Sequence, residues 1–216
     1  MLIGIVGFIG SGKGTAGDYL THDYGYIQDS FARSLKDGVA VTFGWDREML
    51  EGATNESRIW REKVDVFWSK VCGFQLSPRL ALQLYGTECM RENFHDDIWA
   101  MTVIKRYNEG GKKDTVITDC RFRNEINKIK KAGGYVIRVK RGPEPEWYDE
   151  YMSLLNDQNW YKIGQLRDSG VIPHISETNW IGSEFDFELK NDKTLVYLYH
   201  DIGEIIDRIK SKTGRD

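Results

Sequence analysis

The chain is poor in several things, and each shortage narrows what it can be. Its 216 residues hold only 3 cysteines, Cys72, Cys89 and Cys120, an odd set without metal-ligand spacing. That argues against a disulfide scaffold or a zinc centre and for small, reduced, buried thiols. No apolar run approaches the length of a bilayer span, and the first apolar stretch leads into glycines rather than a cleavage site. A cytoplasmic protein with no membrane partner is therefore expected. Excess charge is lacking too. A net charge of −3 gives no overall pull toward a nucleic-acid polymer or an anionic lipid surface, so cations that grip a phosphorylated substrate must be gathered locally. Three of the 4 prolines, Pro143, Pro145 and Pro173, fall in one interval. No repeat or low-complexity tract is visible, and 40% hydrophobic with 29% charged residues suits one globular domain carrying a sizeable insertion.

What is present begins at once. Leu2 to Val6 is a short apolar run suited to a parallel strand buried on both faces. Gly7, Phe8, Ile9, Gly10, Ser11, Gly12, Lys13, Gly14 and Thr15 follow, then a helical pattern. The spacing from Gly7 to Gly12-Lys13 fits a phosphate-binding loop of the Walker A kind. Glycines let successive backbone N–H groups turn inward, and the helix behind them points its positive end at the same place. Lys13 adds a mobile charge for the β- and γ-phosphates. The residue after the lysine, which usually holds Mg²⁺ through a hydroxyl, is here Gly14, with Thr15 next. A Gly-Lys-Gly-Thr ending resembles the adenylate-kinase version of the loop.

The remaining pattern alternates strand and helix. Strands are expected at Tyr24–Gln28, Thr115–Thr118, Tyr135–Val139 and Leu195–Tyr199, with helices at about Ala32–Phe43, Arg58–Val71, from Ser77-Pro78 to about Arg91, and after Asp96 or Asp97 with Ile98, Met101 and Ile104 inward. The stretch from Asp46 to Ser57 reads as a loop or frayed helix. A further helix carries Phe122, Ile126 and Ile129, and a last one Ile202, Ile205, Ile206 and Ile209. Lys210–Asp216 reads as a frayed end. The fold expected is a doubly wound, three-layer α/β/α with a five-stranded parallel sheet and right-handed crossovers, and the loop's likeness to the adenylate-kinase version implies the P-loop kinase type. Residues 142–188 break the rhythm and read as a partly helical, lid-like insertion.

A second chemical site follows the third strand. Asp119 stands where open α/β sheets place ligand groups and could hold Mg²⁺, a plain helix cap being the bland alternative. Arg121 and Arg123 oppose the dipole of the helix they begin, which favours a phosphate role, although an ion pair such as one with Glu125 competes for Arg123.

Several blocks together carry a likeness. Arg79–Trp99 (RLALQLYGTECMRENFHDDIW), Val116–Ile126 (VITDCRFRNEI) and His174–Trp180 (HISETNW), with Phe31–Asp37 (FARSLKD) and Glu51–Glu62 (EGATNESRIWRE), resemble the phage deoxynucleoside monophosphate kinases. The resemblance spans most of the chain outside Gly142–Pro173. It implies transfer of the ATP γ-phosphoryl group to a dNMP, giving dNDP and ADP, with Mg²⁺, a homodimer and a place in a host cytoplasm. By matching motif, Lys13 would neutralise the transferring phosphate while Gly10, Ser11, Gly12, Gly14 and Thr15 wrap the ATP phosphates. Lys36, Arg58 and Arg61 would lie near the acceptor monophosphate, Gln83, Gly86, Thr87 and Trp99 at its base and sugar, and Arg121 would bridge donor and acceptor. Asp119 is the first choice for metal and Thr15 the second. Bland readings stand beside these: Arg58 and Arg61 as an ion-pair face with Glu56 and Glu62, Gln83 as an exposed helix residue, Trp99 as core, and His174, Ser176 and Glu177 as helix caps. Two competing accounts keep the loop. One is a kinase of another small metabolite, with Asp29 activating a hydroxyl; the other is a nucleotide-binding module without catalysis.

Overall fold

A computed structural model describes residues 1–214. The chain divides into two compact units, one of residues 1–29 and 106–216, the other of residues 30–105.

The first unit is built on β1 (Leu2–Val6), which runs into the loop and α1 (Lys13–Tyr24), followed by β2 (Ile27–Asp29). In the second unit come α2 (Ala32–Phe43), α3 (Arg47–Glu51), α4 (Asn55–Glu62), α5 (Val66–Cys72) and α6 (Pro78–Leu84), which continues as a π-helical stretch over Tyr85–Glu92. The next helix, α7 (Ile98–Glu109), ends in the first unit, where β3 (Thr115–Ile117), α8 (Arg123–Lys131), β4 (Tyr135–Lys140), α9 (Tyr148–Asn156), α10 (Trp160–Asp168), α11 (Ile175–Thr178), β5 (Phe187–Lys190) and α12 (Leu195–Thr213) follow.

The five strands form one parallel sheet in the order β2-β3-β1-β4-β5. Every residue of β1 is buried, as a central strand covered on both faces requires. Alternation along it separates the layers. Ile3 and Ile5 join a core with Ala16 and Leu20 of α1 and Leu198, Ile202, Ile205, Ile206 and Ile209 of α12. On the opposite face, Ile129 of α8 and the Cys120 thiol lie against Gly4. The expected five-stranded, three-layer architecture is what the chain adopts.

Several elements differ from expectation. Leu195–Tyr199 is not a strand but the first turns of α12, and the fifth strand is Phe187–Lys190. The β-branched and aromatic run misleads because only Leu198 of its five residues is buried; Leu195, Val196 and Tyr197 are exposed, the helical rather than the alternating pattern. The second strand begins at Ile27, since α1 continues to Tyr24 and Gly25 ends it. No single helix spans Arg58–Val71. It is two, because Asp65 accepts from the Trp68 N–H at 2.9 Å and starts a new one. Asp46–Ser57, expected as a loop or frayed helix, is a short helix and the start of another joined by a short connection over residues 52–54: Asp46 caps α3, and Thr54 and Ser57 exchange side chain-to-backbone bonds to open α4. On α7 the inward face is Trp99, Ala100 and Val103, while Met101 is exposed. Finally, Lys210–Thr213 remain helical, and the last two residues of that expected frayed end lie outside the described ones.

Candidate active site

The loop Gly7–Gly12 emerges at the carboxyl end of the central strand and α1 begins at Lys13. Two glycines there are demanded by geometry. Gly7 has φ +146°, and a Cβ on it would meet the Val139 carbonyl at 2.3 Å. Gly12 has φ +102° and lies against the side chain of Asn191. The Lys13 ammonium folds back to donate to the Gly7 and Phe8 carbonyls, at 2.8 and 2.7 Å. Burial, and then the positive charge of Arg121, lower its pKa from 10.5 to about 8. A cation held at such cost is one that an arriving polyanion would stabilise. Gly10, Gly12, Lys13, Gly14 and Thr15 line one side of a pocket of about 610 Å³, with Thr118, Arg141, Asn191, Lys193, Thr194 and Leu195 on the rest. Ser11 is buried, and its hydroxyl has no protein partner.

The segment after β3 supplies the next charges. Asp119 is half-buried two residues beyond the strand. Glu125, buried in the first turn of α8, reaches back to accept from the backbone N–H groups of Arg121 and Phe122, at 2.8 and 3.0 Å. The Arg123–Glu125 ion pair, weighed as the bland alternative to a phosphate role, is not the arrangement seen. Arg123 instead donates to the Asn179 and Ile181 carbonyls, at 3.1 and 2.6 Å, and so ties down the segment after α11. Arg121 remains exposed and pairs with Glu177. His174 caps α11 through Nδ1, the bland role weighed for it.

Residues 142–188 are indeed helical in part, and the loop carries their anchor. The Phe8 ring meets Trp147, Tyr148 and Trp180 edge-on, at 5.7, 6.1 and 5.0 Å between centroids. Arg138, buried on β4, lies over the Tyr148 and Trp180 rings and pairs with Glu144 at 2.5 Å.

The second unit holds the other set. Lys36 on α2 donates to Glu51 at 2.5 Å, and Arg47 binds both Glu51 and Asp37, at 2.7 and 2.6 Å. Arg58 donates to the Gly52 and Ala53 carbonyls at 3.1 and 3.4 Å. The Arg61 guanidinium covers Gly52, where a Cβ would come within 2.3 Å of it, and its Nε has no protein partner. Burial, and then the neighbouring Arg79, lower the Arg61 pKa. Lys36, Arg58 and Arg61 thus gather around the Glu51-Gly52 turn. Arg47 belongs with them. Sequence reasoning missed it, although its spacing to Glu51 is that of a helical ion pair. Gln83 is exposed on α6, and Thr87 is half-buried in the π-helical stretch. Gly86 and Trp99 are buried together, the Trp99 Nε1 donating to the Gly86 carbonyl at 2.8 Å. With its ring 6% exposed and its N–H so taken, Trp99 is built as support.

A protein of Acanthamoeba polyphaga mimivirus, named provisionally as a deoxynucleotide monophosphate kinase, is 34% identical over 152 residues, 65% of this chain and 74% of that protein. This chain belongs to the deoxynucleotide monophosphate kinase family. No family model matches it. Among solved structures, dephospho-CoA kinase from Campylobacter jejuni aligns at 15% identity over 96% of both chains with a TM-score of 0.45. A gluconokinase from Sinorhizobium meliloti 1021 aligns at 12% identity over 98% of this chain and 94% of its own, with a TM-score of 0.44. Likenesses that distant carry no argument about the site.

Kinases of this kind take ATP with Mg²⁺, so the donor set matters. Among the described residues no three His, Cys, Asp or Glu side chains gather as a metal cage. A magnesium ion needs none, because it retains water and takes most of its remaining ligands from the phosphates. Thr15 and Thr118, which line the pocket with Lys13, carry hard oxygen donors that fit that pattern, and the half-buried carboxylate Asp119 directly follows Thr118 in the chain.

Proposed function

We propose that this member of the family transfers the γ-phosphoryl group of ATP to a deoxynucleoside monophosphate, giving dNDP and ADP. The observation that carries the reading is Lys13, a desolvated ammonium in a glycine loop between the central strand and α1, with Arg121 the neighbouring charge that perturbs it most. The mimivirus relative's name supports the acceptor class.

On this reading Gly10, Gly12, Gly14 and Thr15 surround the ATP phosphates with backbone N–H groups, while Ser11 closes the loop by donating its own N–H to the Phe8 carbonyl at 3.2 Å. Lys13 leaves the Gly7 and Phe8 carbonyls for the β- and γ-phosphates. Arg121 exchanges Glu177 for the phosphoryl group in flight, where a guanidinium neutralises charge spread over the equatorial oxygens. Asp119, with Thr15, would hold Mg²⁺, which when bound would supply positive charge against the phosphates. Lys36, Arg58 and Arg61 grip the acceptor monophosphate, a dianion that itself supplies the attacking oxygen, so no general base is required. Gln83 and Thr87 face the acceptor's base and sugar, and Gly86 with Trp99 shapes the wall behind them. Residues 142–186, the expected insertion without the two residues that belong to β5, form the lid that keeps water from ATP. The chain works as a homodimer in the cytoplasm; no described helix is long and apolar enough to cross a membrane.

One observation weighs against the kinase of a metabolite alcohol. Asp29, which would have to serve as its base, is gripped through both oxygens by Arg106, at 2.9 and 3.0 Å. The test is an initial-rate panel of each dNMP, each NMP and a set of metabolite alcohols, with coupled detection of ADP. ADP release dependent on dNMP is the expected outcome. Consumption of alcohols with dNMPs untouched, or nucleotide binding without turnover, would overturn the proposal.

A further inference from the structure

We infer that Asn191, the residue after β5, is a positioning residue of the donor phosphate site, fixing the peptide between Ser11 and Gly12 and thereby the aim of the loop's amides. The inference rests on the reading of Gly7–Thr15 as the cradle for ATP.

Asn191 is itself held by the sheet. Its backbone N–H donates to the Lys140 carbonyl at 2.7 Å, continuing the β4–β5 ladder one step past the last strand residue. The next side chain, Asp192, accepts from the Gly142 N–H at 2.6 Å, so the two strand exits are tied to each other. From this fixed base the Asn191 Nδ2 donates to the Ser11 carbonyl at 2.9 Å, across 180 residues of chain. In a trans peptide the C=O and N–H point in opposite directions. Holding the Ser11 oxygen toward Asn191 therefore fixes the direction of the Gly12 N–H, the first amide before Lys13.

Gly12 is fitted to the same contact. Besides its φ of +102°, a Cβ there would come within 2.3 Å of the Asn191 Nδ2, so any side chain at position 12 would push the amide off its carbonyl. Asn191 also lines the pocket that holds Lys13 and Thr15. Chemistry selects the amide. The loop needs a donor that is neutral, since a carboxylate of equal shape would turn lone pairs to the Ser11 carbonyl and set a negative charge beside a polyanion.

The experiment uses the full chain with Asn191→Ala and the near-isosteric Asn191→Asp. KM for ATP, KM for dNMP and kcat are measured separately, with ADP binding by calorimetry and thermal unfolding alongside. The alanine variant is expected to raise KM for ATP and Kd for ADP about five- to tenfold, and the aspartate variant more, with KM for dNMP essentially unmoved. A KM for ATP that stays at the parent value in both variants overturns the inference. So does a rise of both KM values in step with a fall in melting temperature, the signature of general loosening. Should the alanine variant not fold, the aspartate variant, which keeps the shape, decides by the same two criteria. Turnover lost in Lys13→Ala but indifferent to Asn191 removes this inference alone; turnover indifferent to Lys13 removes the cradle reading beneath it.

Discussion

The two units present their cations in opposite ways. In the first, Lys13 is held by backbone carbonyls, in a loop whose shape is set by glycines and by the sheet. In the second, Lys36 and Arg47 are held by carboxylates and Arg58 by carbonyls, the two arginines on short helices opened by capping side chains. A backbone cradle tolerates almost no substitution in its glycines but is indifferent to neighbouring side chains. A side-chain cluster is adjustable, and Lys36, Arg47 and Arg58 in it already have a counter-charge or carbonyl that an arriving anion would have to replace. The contrast is between rigid, backbone-built and adjustable, side-chain-built anion recognition, and on the proposed reading the first falls to the donor and the second to the acceptor.

The largest break in that contrast comes from Lys13→Met, expected to lower kcat roughly 10²–10³-fold with the fold intact, measured as single-turnover ADP formation. Its pH dependence sharpens the point. Because the empty-site pKa is about 8, kcat/KM for ATP should fall as pH rises through about 8. In kcat the same limb should lie at higher pH, since bound phosphates favour the charged form. For stability the sign is opposite. The unfolded chain, with an ordinary lysine at 10.5, binds more protons than the folded one between about 8 and 10.5, so stability rises with pH across that window, a rise that Lys13→Met should abolish in urea titrations.

Next in size, Arg61→Ala should raise KM for dNMP by about tenfold, the loss of a charge-assisted bond, while KM for ATP stays in place. A parallel rise in both would erase the division of labour between the units. The smallest effect tests the scaffold of the second unit. Asp65→Ala removes both the α5 cap and the acceptor of the Trp45 indole N–H at 2.9 Å, and should cost about 1–2 kcal/mol in chemical unfolding. The Lys13-dependent step should remain unaltered.

Legibility followed the same line. The loop from Gly7 to Thr15 could be read because its geometry depends on residues adjacent in the chain. The strands Leu2–Val6, Thr115–Ile117 and Tyr135–Lys140 were readable as buried β-branched runs. Leu195–Tyr199 was not, because an apolar run of that length fits a strand or the start of a helix, and burial of Leu198 alone decides. The caps Asp46, Thr54 and Asp65 are local signals that a count of apolar spacing overlooks. Of the site, Phe8 and Asn191 went unread because their partners, Trp180 and Ser11, are distant in the chain, whereas Arg47 carried a local signal, its i,i+4 spacing to Glu51, that was overlooked.

The sequence by itself determined the phosphate loop, the parallel α/β class and the family, because short-range geometry and buried runs act through neighbours along the chain. Tertiary structure alone decided which carbonyls hold Lys13, that Glu177 faces Arg121, that Trp99 supports Gly86 and that Asn191 reaches Ser11. Those pairings depend on strand order and helix placement, which set the distance between residues far apart in the chain and leave no periodic trace in it.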